Sequence, residues 1–197
     1  MTLRLAQDPE ADALLEADPF ALLSGMLLDQ QIPMERAFAG PATIARRLDV
    51  PRLDPVQIAA MGEEEFAMAL SEPPAVHRFP GSMAGRIQSL ARVVVDRYGG
   101  DAAAVWTTAD TGEDLVTRLA ALPGFGPQKA QIFTALLGKQ CGVQPDGWRD
   151  AAGSYGQDGS RRSVADVTGP ESLTEVRAFK KALKAAAKSR GEQSVRQ

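Results

Sequence analysis

At 197 residues and 21.0 kDa, with 44% hydrophobic and 24% charged residues, the chain is long enough to bury a real core as one or two small domains. It has no apolar run near the ~20 residues that span a bilayer, and its single cysteine, Cys141, excludes an internal disulfide and any metal or iron–sulfur site built from several thiolates. The formal net charge of −3 argues mildly against sequence-independent nucleic-acid binding, but seven bases from Arg177 onward (Arg177, Lys180, Lys181, Lys184, Lys188, Arg190, Arg196) face one acid, Glu192, which leaves the rest of the chain at about −9.

The N-terminal "MTLRLAQDPEADALL", with one Arg and then three acids within five residues, does not resemble a signal peptide, so a cytoplasmic location is expected. "DPEADALLEA" places Asp8 at an N-cap, Pro9 at the first helical position and acids in the first turn. "DPFALLSGMLLDQQ" repeats that start with Asp18 and Pro19, and its apolar residues on several faces predict a central, mostly buried helix. "PMERAFAGPATIARRL" reads as two short helices broken at Gly40–Pro41. Two more short helices are expected in "DPVQIAAMG" and "GEEEFAMALSE".

"PPAVHRFPG" is a proline-punctuated loop carrying His77, the only histidine; with no nucleophile elbow in the chain, it reads as a loop or surface residue rather than a catalytic one. "SMAGRIQSLARVVVDRYGG" predicts a long helix with Met83, Ile87, Leu90, Val94 and Tyr98 on one face and a glycine stop. "TGEDLVTRLAALPGFGPQKAQIFTALLGKQCG" predicts a pair of helices. "AAGSYGQDGSRRS" is a Gly/Ser-rich loop, and Ser163 with Asp166 offers a capping box. The last helix, "GPESLTEVRAFKKALKAAAKSR", has acids early and bases late, matching its dipole, and is expected to fray after Gly191. No internal repeat and essentially no sheet are expected.

Between the two helices, "LPGFGPQKA" is a tight connection. Gly124 and Gly126 permit positive φ and close approach, and Pro127 suits the first turn of the following helix. The first N–H groups of that helix lack internal partners and lie at the positive end of its dipole, which makes the turn a good phosphate site. Such a contact positions DNA without reading its sequence.

"LPGFGPQKA" resembles the hairpin of the helix-hairpin-helix DNA glycosylases, the superfamily of endonuclease III, the adenine-specific mismatch glycosylases and the 3-methyladenine glycosylases. "GMLLDQQIPMERAFAGPATIARRL" is similar to the early helix and following loop of the alkyl-base branch, and "GSMAGRIQSLARVVVDRYGG" occupies the place of the long helix before the hairpin. "VQPDGW" falls where the family puts its catalytic aspartate, 18 residues after Gln128. The match covers roughly residues 20 to 150. It implies an all-α protein of two helical lobes, a central bundle over 20–138 that ends in the hairpin and a second lobe formed by 1–19 with 139–197, with a DNA-facing cleft between them.

The activity implied is hydrolysis of the N-glycosidic bond of a damaged, in the first instance alkylated, base flipped out of duplex DNA. Positive charge builds on the deoxyribose as that bond breaks, and a nearby carboxylate stabilises it. By position that carboxylate is Asp146, with Asp150 in reserve; Asp followed by Gly is equally a turn signal. The DNA-contacting residues implied are Gly124, Phe125, Gly126, Gln128 and Lys129 of the hairpin, with Gln30 and Gln31 near the gap in the duplex.

Several positions depart from the family's pattern. Gln128 stands where strand-cutting members carry a lysine, and a glutamine cannot form a Schiff base, so no lyase activity is expected. A one-residue step on a helix turns the side chain by about 100°, so Lys129 is expected not to share Gln128's cleft. Pro127 replaces a base that many relatives place beside the phosphates, and the missing cysteines exclude the iron–sulfur cluster of the endonuclease III branch. A monovalent cation at the hairpin carbonyls is left open, with no other metal or cofactor expected. Trp148, Phe125 and Tyr155 could stack on a base, although isolated aromatics are more often core, Phe125 above all.

The expected partner is duplex DNA containing a damaged base, met by a monomer in the cytoplasm, or on the nucleoid in a bacterium, and not a membrane. The alternatives are a DNA-binding module without catalysis and a helical scaffold in which the hairpin is only a turn.

Overall fold

The computed structural model describes residues 2–194, and side-chain surroundings for residues 2–186. Arg196 and the other residues beyond Ser194 lie outside the described part, as do the side chains of Lys188, Arg190 and Glu192. The described chain is all-α: eleven helices, two short 3-10 turns and one isolated bridge between Thr111 and Asp146, with no sheet.

The N-terminal helices start as the sequence dictates. α1 (Pro9–Ala17) is capped by Asp8, whose carboxylate accepts from the N–H groups of Glu10 and Ala11 at 3.0 and 3.1 Å. α2 (Pro19–Leu28) begins at Asp18, which joins three segments. Its Oδ1 accepts from Phe20 and Ala21 N–H at 2.9 and 3.0 Å, its Oδ2 accepts from Leu53 N–H at 2.7 Å, and its own N–H closes α1 on Leu14. Burial raises the Asp18 pKa, and these backbone donors pull against it. Every residue from Phe20 to Leu28 is buried, so α2 is the central helix. Each large side chain on it contributes about 1.5–3 kcal/mol by leaving water.

α3 (Met34–Arg47) is one continuous helix, not two pieces broken at Gly40–Pro41. Pro41 removes one backbone donor, but Gly40 lies against Leu28 and Val76 so closely that a Cβ there would come within 2.7 and 3.0 Å of them. The packing of α3 on α2 and α1 outweighs the local cost of the proline. α4 (Pro55–Ala60) and α5 (Glu63–Ser71) pack on α6 (Pro80–Tyr98), whose Met83, Ile87, Leu90 and Val94 are buried.

His77, expected at the surface, is 1% exposed. Phe79 N–H donates to its Nδ1 at 3.0 Å, so Nε2 carries the proton and donates to the Gln30 carbonyl at 2.8 Å. The histidine ties the loop before α6 to the turn after α2.

After α7 (Ala104–Thr107), α8 (Gly112–Ala120) and α9 (Pro127–Gln140) form the pair around the tight turn. The Gly/Ser-rich stretch is more ordered than a loop. α10 (Trp148–Ala151) and the 3-10 turn Gly153–Tyr155 run back along α9. Ser163 and Asp166 form the expected capping box. Lys139 on α9 bonds Asp166 at 2.6 Å, and Gln140 Nε2 donates to the Ala165 and Val167 carbonyls at 2.9 and 3.2 Å. This anchored segment launches α11 (Pro170–Ser194), which continues through Gly191 instead of fraying there. One continuous apolar core runs from Leu3 to Val176. Among the described residues no helix is long and apolar enough to cross a membrane.

Candidate functional site

The turn between α8 and α9 closes through Phe125 N–H on the Leu122 carbonyl at 3.0 Å. Gly124 sits at φ +80, where L side chains are strained, and lies against Leu27. Nothing lies within 4 Å of where a Cβ on Gly126 would point. Among the described residues the N–H groups of Gly124, Gly126, Gln128 and Lys129 find no backbone or side-chain acceptor, and Pro127 has none to offer. The turn therefore presents a cluster of open donors at the positive end of α9. Phe125 does not join them. It is 6% exposed and packs edge-on against Phe133 at 5.9 Å between ring centres, so its side chain holds the turn from inside and offers no surface for contact.

Beside this turn a cavity of about 600 Å³ opens between the end of α2, the turn that follows it, the start of α9 and one face of α11. Gln128 and Lys129 both line it, which corrects the expectation that Lys129 would turn away. The 100° step holds for the Cβ positions, but the long Lys129 side chain carries Nζ over the Phe125 ring, 6.0 Å from its centre, to the Leu27 carbonyl at 3.0 Å. Gln128 Nε2 donates to the Tyr155 hydroxyl at 2.7 Å on the other side.

Asp29, the C-cap of α2, is the one acid lining this cavity among the described residues. Its side chain is 14% exposed and lies 4.0 Å from Lys180 Nζ. Burial raises its pKa and Glu35 adds to the rise, while Lys180 and Lys129 pull it down. Burial likewise pushes the Lys129 amine down to about 8, opposed by Asp29 and reinforced by Arg86 and Lys180. The cavity thus holds a desolvated carboxylate and a desolvated amine that sustain each other's charge.

The two glutamines of the turn after α2 separate in role. Gln30 is locked: Nε2 donates to the Leu27 carbonyl at 2.7 Å, Oε1 accepts from the Arg86 guanidinium at 3.1 Å, and its carbonyl accepts from His77. Gln31 is exposed, at φ +59, with no side-chain bond among the described residues. Of the pair, only Gln31 is free to move.

Asp146 is not brought to this cavity. Its carbonyl accepts from Gly112 N–H at 2.8 Å, and two residues on, Trp148 lies over Gly138, so it belongs to the far end of α9. The ten residues from Gln128 to Gly138 span about 15 Å of helix. The Asp146 and Asp150 side chains are exposed and make no hydrogen bond or ion pair among the described residues. Trp148 is buried under Arg149 and packs on α9, whereas Tyr155 reaches Gln128.

A second crevice, about 570 Å³, lies between Leu3, Leu15, Trp106 and the end of α9. Its charged groups are already engaged, Glu16 with Leu3 N–H and Lys139 with Asp166, and nothing converges there.

Asp29 was missed by reading for motifs, although one physical signal marks it. A carboxylate at a helix C-terminus faces the negative end of the dipole, and this one follows a fully buried run; both disfavour it. The basic run in α11 was visible, but its position opposite α9 was not. The chain matches no protein-family model, and no curated protein is significantly similar to it.

Proposed function

We propose that this is a DNA-binding protein of the helix-hairpin-helix class. Within that class we read it as a monofunctional glycosylase that excises a damaged base, in the first instance an alkylated one, from duplex DNA. One observation carries the reading: a turn of open backbone donors stands beside a cavity that contains, among the described residues, a single, largely buried carboxylate.

In this reading the donors of Gly124, Gly126 and Gln128 grip backbone phosphates. Gln31 is the side chain that can enter the gap left in the duplex. The cavity lies within the roughly 300–1,000 Å³ range of small-molecule pockets and receives the flipped nucleotide. As the C1′–N bond breaks, the departing base takes the bonding pair and positive charge grows on the sugar. An ionised Asp29 stabilises that charge and accepts a proton from the water that adds to C1′. Asp29 replaces Asp146 in this role because Asp146 lies at the packed end of α9. Lyase chemistry is left out of the reading: Gln128 has no amine, and Lys129 Nζ is committed to the Leu27 carbonyl.

The test is mass-spectrometric detection of free bases released from alkylated, deaminated and oxidised duplex DNA by wild type, Asp29→Asn and Asp146→Asn. Release is expected from wild type and Asp146→Asn and is lost in Asp29→Asn while duplex binding persists. Binding without release by any of the three would leave a DNA-binding module without catalysis. That second reading is favoured by the proximity of Lys180 to Asp29, which engages the carboxylate in the free protein. Borohydride trapping on abasic DNA adds a separate check: wild type should give no adduct and Gln128→Lys should give one. An adduct mapped to Lys129 in wild type would overturn the monofunctional assignment.

A further inference from the structure

Beyond its first turns α11 is lightly packed, with Phe179 half-buried under the Arg162 guanidinium at 5.1 Å. Leu173 and Val176 are buried and fix its first turns, but from Arg177 to Ala186 no residue is buried. Its direction is set from below by the segment that Lys139 and Gln140 fasten to α9. Across the cavity, Arg177 pairs with Glu35 and Lys180 with Asp29. These contacts tie one face of α11 to the start of α3 and the end of α2, on the cavity that the start of α9 also lines.

Arg177, Lys180, Lys181 and Lys184 follow i, i+3, i+4 and i+7 spacing and all line the cavity. Arg177 and Lys180 have acidic partners. Lys181 and Lys184 are exposed, and neither forms an ion pair among the described residues. Like charges stacked at i,i+3 on a helix repel one another by a few tenths of a kcal/mol, and an anion lying between them relieves that cost. Lys129 adds positive charge from the opposite wall, and Arg86, hydrogen-bonded to Gln30, lies close enough to act on the Lys129 amine. An overall acidic chain thus sets five cations, Lys129, Arg177, Lys180, Lys181 and Lys184, around one concave space that holds a single acid among the described residues.

We infer that the face of α11 carrying Lys181 and Lys184 is a second phosphate-holding wall, facing the hairpin donors across the cavity, and that its partner is the backbone of a nucleic-acid duplex. This rests on the function proposed above and adds to it a surface outside the hairpin. Shape favours a duplex over an anionic bilayer. The lysines face inward on a cleft, and Leu183, the exposed apolar residue of this stretch, lies about 200° around the helix from Lys181, so it could not insert beside them.

The experiment is duplex-DNA binding by fluorescence anisotropy between about 0.05 and 0.2 M salt, for wild type and Lys181→Gln/Lys184→Gln. Both positions are exposed, and equal melting temperatures would establish that the fold is intact. Loss of two phosphate contacts should reduce the slope of log K against log salt by about two and weaken binding more than tenfold at 0.1 M salt. An unchanged slope and affinity in the double variant, with wild type binding normally, would overturn the inference and leave the hairpin reading standing. No duplex binding by wild type would remove both. Vesicles of phosphatidylserine and phosphatidylcholine are the second arm: lysine-dependent vesicle binding with unaltered DNA binding would reassign the face to lipid and overturn the proposal as stated.

Discussion

The two ends of α9 are built on opposite principles. At its start, backbone donors are left open, Gly126 has empty space around it, and charged side chains are desolvated without being fully neutralised. At its end groups are packed or paired: Trp148 lies on Gly138, Gln144 Nε2 donates to the Gly138 carbonyl at 2.8 Å, and Lys139 and Asp166 form a short ion pair whose acid is 2% exposed. Fourteen residues of one helix therefore join a packed anchor to an end with open backbone donors and desolvated charges. Functional sites are often where local satisfaction is given up, and this contrast is the ground for proposing the site at the start of α9. Asp146 has the spacing that the resemblance of the hairpin implies for a catalytic aspartate but lies with the anchor.

On the proposed function, a change at the start of α9 should have the largest effect. Asp29→Asn is expected to lower base release by about 100-fold or more, with duplex affinity nearly unchanged. Because burial holds the Asp29 pKa above the ordinary aspartate range, the acid limb of kcat/KM for wild type should lie above that range too, and a pH–rate profile reads it directly.

The anchor end should respond in stability instead. A Cβ on Gly138 would fall 2.3 Å from the Trp148 ring, so Gly138→Ala should cost about 1–3 kcal/mol in a urea titration.

Lys129 sharpens the contrast through pH. Below about pH 8 both the folded and unfolded chains hold its proton, and the folded state bears the full cost of a buried ammonium. Between about 8 and 10.5 the unfolded chain binds more protons, so this contribution to stability rises with pH. Wild type should therefore gain about 1–2 kcal/mol on Lys129→Met between about pH 7 and 10, allowing for partial solvent screening; urea midpoints of the two proteins at each pH measure it.

Smaller still is the expected cost of Gly126→Ala. With open space at the site and an ordinary φ of −107, it should change stability by less than about 0.5 kcal/mol and, on the proposed phosphate contact, weaken duplex binding. Asp146→Asn should change neither base release nor affinity.

Much of the secondary structure was legible in short stretches. Asp8–Pro9 and Asp18–Pro19 start helices because a carboxylate cap and a preset proline φ act within one turn of chain. The period of Met83, Ile87, Leu90 and Val94 and the tight turn at Gly124 are local in the same sense. The continuity of α3 was not legible, because it depends on Leu28 and Val76 lying against Gly40 from other elements. Nor was the burial of His77, whose partner Gln30 lies 47 residues away.

The candidate site divides along the same line. The open donors of the hairpin follow from the sequence alone, since any helix that starts on Gly–Pro leaves them free. That Asp29, Lys129 and Lys180 share one cavity, and that Asp146 does not, was decided by packing. Desolvation and charge coupling depend on distances between helices far apart in the chain, and only the folded core sets those distances.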